Sequence, residues 1–233
     1  MIRTFPKPLP AGIAQRKKPR EIPKRRPMTL AIGMECLGGL IVAADTRTSY
    51  EDGNVSEMQK VSYFHTRHGA FAIAQSAQDA NAANSLIRNL ENALQELTSA
   101  TLSYARLENL IEDQMQRWYV PNDSTRATVE LLIAACLNDN PERRMYCCEP
   151  PNTLNQINDY HAIGGAWTVA DPIYKGWVMP SVVPLIASSP HKCLCIISYL
   201  MHKAKERLPS HVGGHTDAVL ITEKDGGPFL VRG

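Results

Sequence analysis

The chain has 233 residues, 44% of them hydrophobic, which is enough for one packed domain. It contains no run of 18 or more apolar residues and no apolar signal segment near its N-terminus, which excludes a membrane-spanning helix and argues against secretion. The formal net charge of +2 conceals an asymmetry, because residues 1–27 carry +8 and the remaining residues carry −6.

Residues 1–28 form a basic tail that also holds six of the sixteen prolines. Such a segment buries too little apolar surface to offset its ordering entropy, so we expect it to be disordered by itself. We interpret it as a removable pro-segment, as sequence translated upstream of the true start, or as a solvated arm. A basic arm for nucleic acid or an acidic partner is the disfavoured alternative. Residues 29–233 are expected to form one domain.

Two β-hairpins are predicted at the start of this domain. The first joins residues 29–36 to residues 39–46 through a Leu-Gly-Gly turn, and the second joins residues 60–66 to residues 70–75. Next, the stretch from Ser76 to Trp118 lacks Gly and Pro and repeats its leucines at helical spacing. It therefore predicts two amphipathic helices that meet near residues 98–103.

Strands return in the second half of the chain, at residues 127–136, 143–149 and 160–165. A helical region interrupted by prolines follows from Ala166. Ser189 then fits a helix N-cap with proline at the first helical position, and the chain closes with a hairpin. Blocks of strands and helices in this order predict an α+β fold, a four-layer αββα sandwich of two antiparallel sheets between helical layers.

The cysteines predict neither a disulfide framework nor a metal site. None of the six forms a C-x-x-C pair, and most lie inside apolar runs, which is typical of buried thiols in a reducing cytosol. The paired histidines (His65 with His68, His211 with His215) have no acidic or thiol partner at ligand spacing. We therefore expect a cytoplasmic protein without metal or cofactor.

Nucleophilic chemistry has one candidate location, the first hairpin and its surroundings. The motifs of serine hydrolases, P-loop proteins and zincins are absent, which leaves Thr29, Asp45 and Lys60. If the chain began at Thr29, its α-amine, with a reference pKa of about 7.7–8.0, would serve as the base for the hydroxyl. Lys60 would lower that pKa, and Asp45 would orient the lysine. Taken singly, each of these residues also fits an ordinary turn or surface position.

The segment TLAIGMECLGGLIVAADTRTS, followed by a lysine about thirty residues after its threonine, resembles the N-terminal signature of proteasome β subunits and their bacterial HslV-like relatives. YHAIGG and VGGHTDAVLITEKDG resemble later strands and turns of the same family, in the same order. These proteins are N-terminal-nucleophile hydrolases. The three matches are distributed over residues 29–233 and imply the fold expected above.

The resemblance also implies roles for individual residues. Thr29 would be nucleophile and base, with Asp45 and Lys60 as its catalytic partners. Three further positions would support the site or bind the oxyanion: Arg47, Gln75 through its backbone N–H, and Gly165. Three would bind substrate, with an apolar preference: Ser49, Ile73 and Ala77. The sequence departs from the family at three supporting positions, where Gly165, Pro209 and Val212 stand for Ser, Asp and Ser.

The function that the resemblance implies is threonine-type endopeptidase activity on peptides or unfolded proteins. It requires loss of residues 1–28, by processing or by a start at Met28, so that the Thr29 amine is free. The resemblance further implies a homo-oligomeric ring and leaves room for an ATP-dependent unfoldase. Two alternatives stay open: a catalytically silent structural subunit that keeps its basic tail, and an amidase of the same chemistry that acts on a small amide.

Overall fold

The computed structural model describes residues 29–49, 54–99, 101–119, 128–150, 153–179, 188–222 and 229–232. The predicted tail, residues 1–28, lies outside these residues, as do Pro180 and Pro184. The strands are β1 (Ala31–Cys36), β2 (Gly39–Asp45), β3 (Arg47–Ser49), β4 (Val55–Glu57), β5 (Val61–Thr66), β6 (Gly69–Ala77), β7 (Val129–Leu137), β8 (Arg143–Glu149), β9 (Thr153–Ile157), β10 (Tyr160–Ile163), β11 (Thr216–Thr222) and β12 (Phe229–Arg232). The helices are α1 (Ala80–Glu96), α2 (Tyr104–Tyr119), α3 (Trp167–Ile173) and α4 (Pro190–Arg207), and a π-helical turn (Tyr174–Val178) follows α3.

The strands form two antiparallel five-stranded sheets and one short ribbon. The first sheet has the order β10-β1-β2-β11-β12, and the second has the order β5-β6-β7-β8-β9. Strands β3 and β4 pair with each other. The predicted first, second and last hairpins are confirmed. The strand predicted at residues 143–149 begins and ends at the predicted residues.

Three hydrophobic clusters define four layers. One cluster packs α1 and α2 on the outer face of the second sheet, and another packs α3 and α4 on the outer face of the first sheet. The third cluster lies between the two sheets and is rich in alanine, with Ala31, Ala44, Ala72, Ala74 and Ala134 among its members. The αββα sandwich expected from the sequence is therefore confirmed. No helix in the described part of the chain is both long and apolar enough to cross a bilayer.

Capping side chains mark the start of helices α1 and α4. Helix α1 begins at Ala80 rather than near Ser76, because β6 continues to Ala77 and the Asp79 side chain accepts hydrogen bonds from two N–H groups of the first turn. Ser189 caps α4 as predicted, through the N–H of Lys192. The sequence analysis missed β3, β4 and β9, which are short and lack clear apolar alternation.

Candidate active site

Three polar side chains predicted to act together meet at one end of the sandwich. Thr29 lies two positions before the first residue of β1, and Asp45 is the last residue of β2. The β1–β2 register pairs Ala31 with Ala44, which brings these two chain positions to the same end of the first sheet. Lys60 immediately precedes β5 and reaches the pair from the second sheet.

Lys60 lies at the centre of this group. Its Nζ donates to Thr29 Oγ1 at 2.9 Å and lies 3.3 Å and 3.4 Å from the two carboxylate oxygens of Asp45. The same Nζ donates to the backbone carbonyl of Arg47. All three catalytic candidates are almost fully buried, with exposed fractions of 3% for Thr29, 0% for Asp45 and 5% for Lys60. Water therefore competes little for these contacts.

Backbone donors hold the Asp45 carboxylate in place. The N–H of Leu30 donates to Oδ1 at 3.0 Å, and the N–H of Gly213 donates to Oδ2 at 3.4 Å. One donor comes from the start of the domain and the other from the loop before β11. The second contact joins residues 168 positions apart in sequence, which only the folded sandwich brings together.

Burial dominates the electrostatics of the ion pair. It lowers the pKa of Lys60 and raises the pKa of Asp45, while the attraction between the two groups opposes both shifts. A lysine whose charge is made less favourable by burial exchanges its proton more readily than a solvated lysine. Because an ammonium lies at its centre, the Thr29 site is unsuited to binding a metal cation.

The turn between β10 and α3 closes the site from another side. The Thr29 carbonyl accepts a hydrogen bond from the N–H of Ala166 at 3.3 Å. Gly164 has φ +88°, and a Cβ there would overlap the Thr29 carbonyl oxygen. Its N–H donates to Glu130 Oε2 at 2.8 Å. Gly165 was predicted as a site residue of this turn, whereas Gly164 and Ala166 were not. The Gly-Gly pair after an apolar strand was the sequence signal that could have indicated them.

Arg47 supports the site through its backbone and its aliphatic chain. Its carbonyl accepts from Lys60, its N–H donates to the carbonyl of Gly213 at 3.3 Å, and its Nη1 donates to the carbonyl of Pro209 at 2.7 Å. A Cβ on Gly213 would press against the Arg47 side chain. Val212 is buried in the cluster beneath α4. Arg47 therefore links Lys60 to the loop that contacts Asp45.

The expected oxyanion donor needs correction. The N–H of Gln75 donates to the carbonyl of Lys60 at 3.0 Å, because pairing between β5 and β6 extends one residue beyond Val61. That N–H is therefore not free to bind an oxyanion. The buried Gln75 side chain donates from Nε2 to Asn84 Oδ1 at 3.0 Å, which fixes it against α1.

The three expected substrate-binding residues lie in different surroundings. Ser49 ends β3, where its backbone pairs with Val55, and its side chain lies outside the described part of the structure. Ile73 is buried in the cluster that packs against α1 and α2. Ala77 is half-buried at the end of β6, beside the same cluster. The substrate roles of these residues stay predictions.

Comparison with protein-family models and with curated proteins gives no match to this sequence. Solved structures of similar fold are found, at low identity. Anbu from Hyphomicrobium sp. strain MC1 is 15% identical, with 88% of this chain and 87% of that chain covered and a TM-score of 0.70. Anbu (ancestral beta-subunit) from Yersinia bercovieri is 14% identical, with 87% of each chain covered and a TM-score of 0.71. The helical assembly of the Anbu complex from Pseudomonas aeruginosa is 14% identical, with 88% and 86% covered and a TM-score of 0.72.

These structures correct the family expectation. The sequence motifs resembled proteasome β subunits and HslV-like proteins, and that assignment is wrong, because the three solved structures compared above are Anbu proteins. The motifs that carried the resemblance lie in the β1–β2 hairpin and in the turn at Gly164, parts of the chain that build the sandwich itself. Identities of 14–15% show a shared fold, that of a proteasome-like β subunit, and no more.

Proposed function

We propose that the chain is a threonine-type hydrolase that cleaves peptide bonds after residues 1–28 are lost. The observation that carries this proposal is the 2.9 Å contact between Lys60 Nζ and Thr29 Oγ1, backed by the buried Asp45 carboxylate. A threonine hydroxyl is a weak nucleophile and needs both a base and a nearby positive charge. This site offers a lysine in hydrogen-bond reach and, at the new N-terminus, an α-amine.

In the proposed reaction, the Thr29 amine takes the Oγ1 proton as Oγ1 attacks the substrate carbonyl carbon. Lys60 stabilises the developing charge on Oγ1, and Asp45 holds Lys60 in position. The protonated amine then gives its proton to the departing amine, which leaves an acyl-ester on Thr29. Water, deprotonated by the same amine, then attacks the ester. The acyl group leaves as a carboxylic acid, and the amine returns the proton to Oγ1, which restores the free hydroxyl.

We assign the oxyanion donor to the backbone N–H of Ala77 instead of Gln75. Along a strand, N–H groups two residues apart point to the same side. The Gln75 N–H points toward Lys60, so the Ala77 N–H points the same way, beyond the first residue of β5. A substrate strand lying there would meet both a donor and the Thr29 hydroxyl.

The proposed substrates are peptides or unfolded segments, because such chains can pair with this strand end in extended form. We also propose that copies of the chain assemble with one another. The Pseudomonas aeruginosa Anbu structure, which shares this fold, is a helical assembly. An ATP-dependent unfoldase is compatible with such an assembly and is not needed for the chemistry.

A second candidate is a silent structural subunit that keeps residues 1–28. The paired Gln75 N–H favours it, as do Gly165, Pro209 and Val212 at positions where the resembled proteins carry supporting side chains. In that case the Thr29 nitrogen is an amide and has no base function. The buried ion pair would then serve packing alone.

Intact mass of the protein from its native host, combined with labelling by a peptide epoxyketone, tests the proposal. We expect a mass for residues 29–233 and one covalent adduct that maps to Thr29 and is lost in Thr29→Ala. The full-length mass without an adduct would establish the silent subunit. Hydrolysis of N-acylated amino acids without hydrolysis of peptides would instead identify a small-amide hydrolase.

A further inference from the structure

Three side chains of metal-ligating type meet where the two sheets face each other. Cys147 and Glu149 lie two residues apart on β8, and therefore point to the same face of the second sheet. His161 lies on β10 of the first sheet. One ligand atom from each of the three lies within 4.8 Å of the other two, and Cys147 Sγ is 3.9 Å from Glu149 Oε1.

The three residues differ in burial, from the core of the protein to its surface. Cys147 belongs to the cluster between the sheets and is 1% exposed, His161 is half-buried, and Glu149 is exposed. The group is therefore closed on the core side and open to ions from solvent on the Glu149 side.

We propose that Cys147, Glu149 and His161 bind a Zn²⁺ ion that ties β8 of one sheet to β10 of the other. Sulfur, imidazole nitrogen and carboxylate oxygen are the donors that zinc accepts, and three protein ligands leave a fourth position for water. Zinc bonds of about 2.0–2.3 Å place tetrahedral donors roughly 3.3–3.8 Å apart. The exposed Glu149 side chain has room to close the small remaining gap. Binding releases the Cys147 proton to solvent, and the thiolate and carboxylate then neutralise the ion.

This position gives the ion a structural role beside Thr29. Among the described strands, β10 is the edge strand of its sheet and pairs only with β1, where His161 lies opposite Gly33. Directly after β10 come Gly164 and Ala166, which contact the Thr29 carbonyl. A metal bond from β8 to β10 would anchor this edge strand, and so the turn behind the nucleophile.

Cobalt spectroscopy of the full chain tests the site. Co²⁺ is titrated into a Cys195→Ser background under a non-thiol reductant, because Cys195 lies 3.9 Å from His191 on the surface of α4 and forms a competing site. We expect a sulfur-to-cobalt charge-transfer band and a tetrahedral visible spectrum that saturate at one ion per chain. Cys147→Ser should abolish the band. Cys148→Ser is the matched control, because this neighbouring buried thiol belongs to the cluster beneath α1 and α2, and it should keep the band.

Calorimetric zinc titration supplies a readout that does not depend on a core substitution. Glu149→Gln changes an exposed side chain, so the protein folds, and we expect it to weaken zinc binding by at least about tenfold, the lower bound seen even for outer-shell changes. Zinc should also raise the thermal midpoint of the parent chain. The proposal is overturned if the charge-transfer band survives Cys147→Ser, or if Glu149→Gln and His161→Gln leave the zinc Kd unchanged.

Discussion

Gly164 leaves no room for a Cβ beside the carbonyl oxygen of Thr29, and its backbone conformation has φ +88°. Both facts exclude a side chain at this position, since a Cβ would overlap the carbonyl and the conformation is costly for any other residue. The backbone of the turn between β10 and α3 therefore packs against Thr29 with no room for a side chain between them.

We expect Gly164→Ala to destabilise the protein by more than the roughly 1–2 kcal/mol that a left-handed conformation costs alone. It should also displace Thr29 and reduce peptide hydrolysis. Denaturant unfolding and kcat/KM measure the two effects. Gly176→Ala is the matched control, because a Cβ there meets no atom within 4 Å. Equal stability of the two variants would show that Gly164 is dispensable.

Removal of the Lys60 amine should impair both folding stability and catalysis. Lys60→Ala leaves the Asp45 carboxylate buried without its cation, a change that typically costs about 3–5 kcal/mol. It also removes the cation from Thr29 Oγ1, which we expect to lower kcat by about 10²–10⁴. Lys203→Ala, which breaks a surface ion pair with Glu206, is the control and should leave stability and kcat close to those of the parent chain.

The pH dependence of kcat/KM should be bell-shaped. The rate rises as the Thr29 amine loses its proton, near or below the reference pKa of about 7.7–8.0, because the adjacent cation favours the neutral amine. It falls again as Lys60 loses its proton. Burial lowers the pKa of Lys60, so the midpoint of the alkaline limb should lie below the ordinary lysine value of 10.5. A profile that stays flat up to that pH would remove Lys60 from the mechanism.

A free amine on Thr29 should be indispensable. A chain produced to begin at Thr29 should hydrolyse peptides, whereas a chain with one extra residue ahead of Thr29 should be inactive, because an amide nitrogen cannot accept the Oγ1 proton. Thr29→Ser in the shortened chain keeps hydroxyl and amine and should retain measurable activity. If the extended chain is as active as the shortened one, a different group is the base.

The sequence predicted the architecture well because hydrophobic periodicity and turn residues report directly on layers and hairpins. The β1–β2 hairpin explains why Thr29 and Asp45 could be placed at the same end of one sheet, since a two-residue turn fixes where its strands end. Lys60 was named as a candidate from the sequence, but its place beside Thr29 was not fixed by any local pattern. Its contact with Thr29 joins the two sheets, and no local pattern encodes the way one sheet packs on the other.

The features that the sequence did not predict correctly have a common cause, because each depends on contacts between distant parts of the chain. Gln75 was expected to offer its N–H to an oxyanion, but strand pairing beyond Val61 gives that N–H to Lys60. The Gly213 bond to Asp45 likewise joins opposite ends of the domain. Ligand-type residues on β8 and β10 were equally hidden, because their sequence spacing follows no local zinc motif.

The alanine-rich layer between the sheets has a consequence beyond packing. Thr29 and Asp45 belong to one sheet and Lys60 to the other, so the thickness of this layer sets the reach of the lysine to the hydroxyl. Ala44 and Ala74 lie within this layer, and their small size helps to set the distance between Lys60 Nζ and Thr29 Oγ1 at the end of the sandwich. Substitution of these alanines by larger residues would therefore change the distance between Lys60 and Thr29 without altering either residue. Selection for this distance would then constrain residues in the interior of the protein.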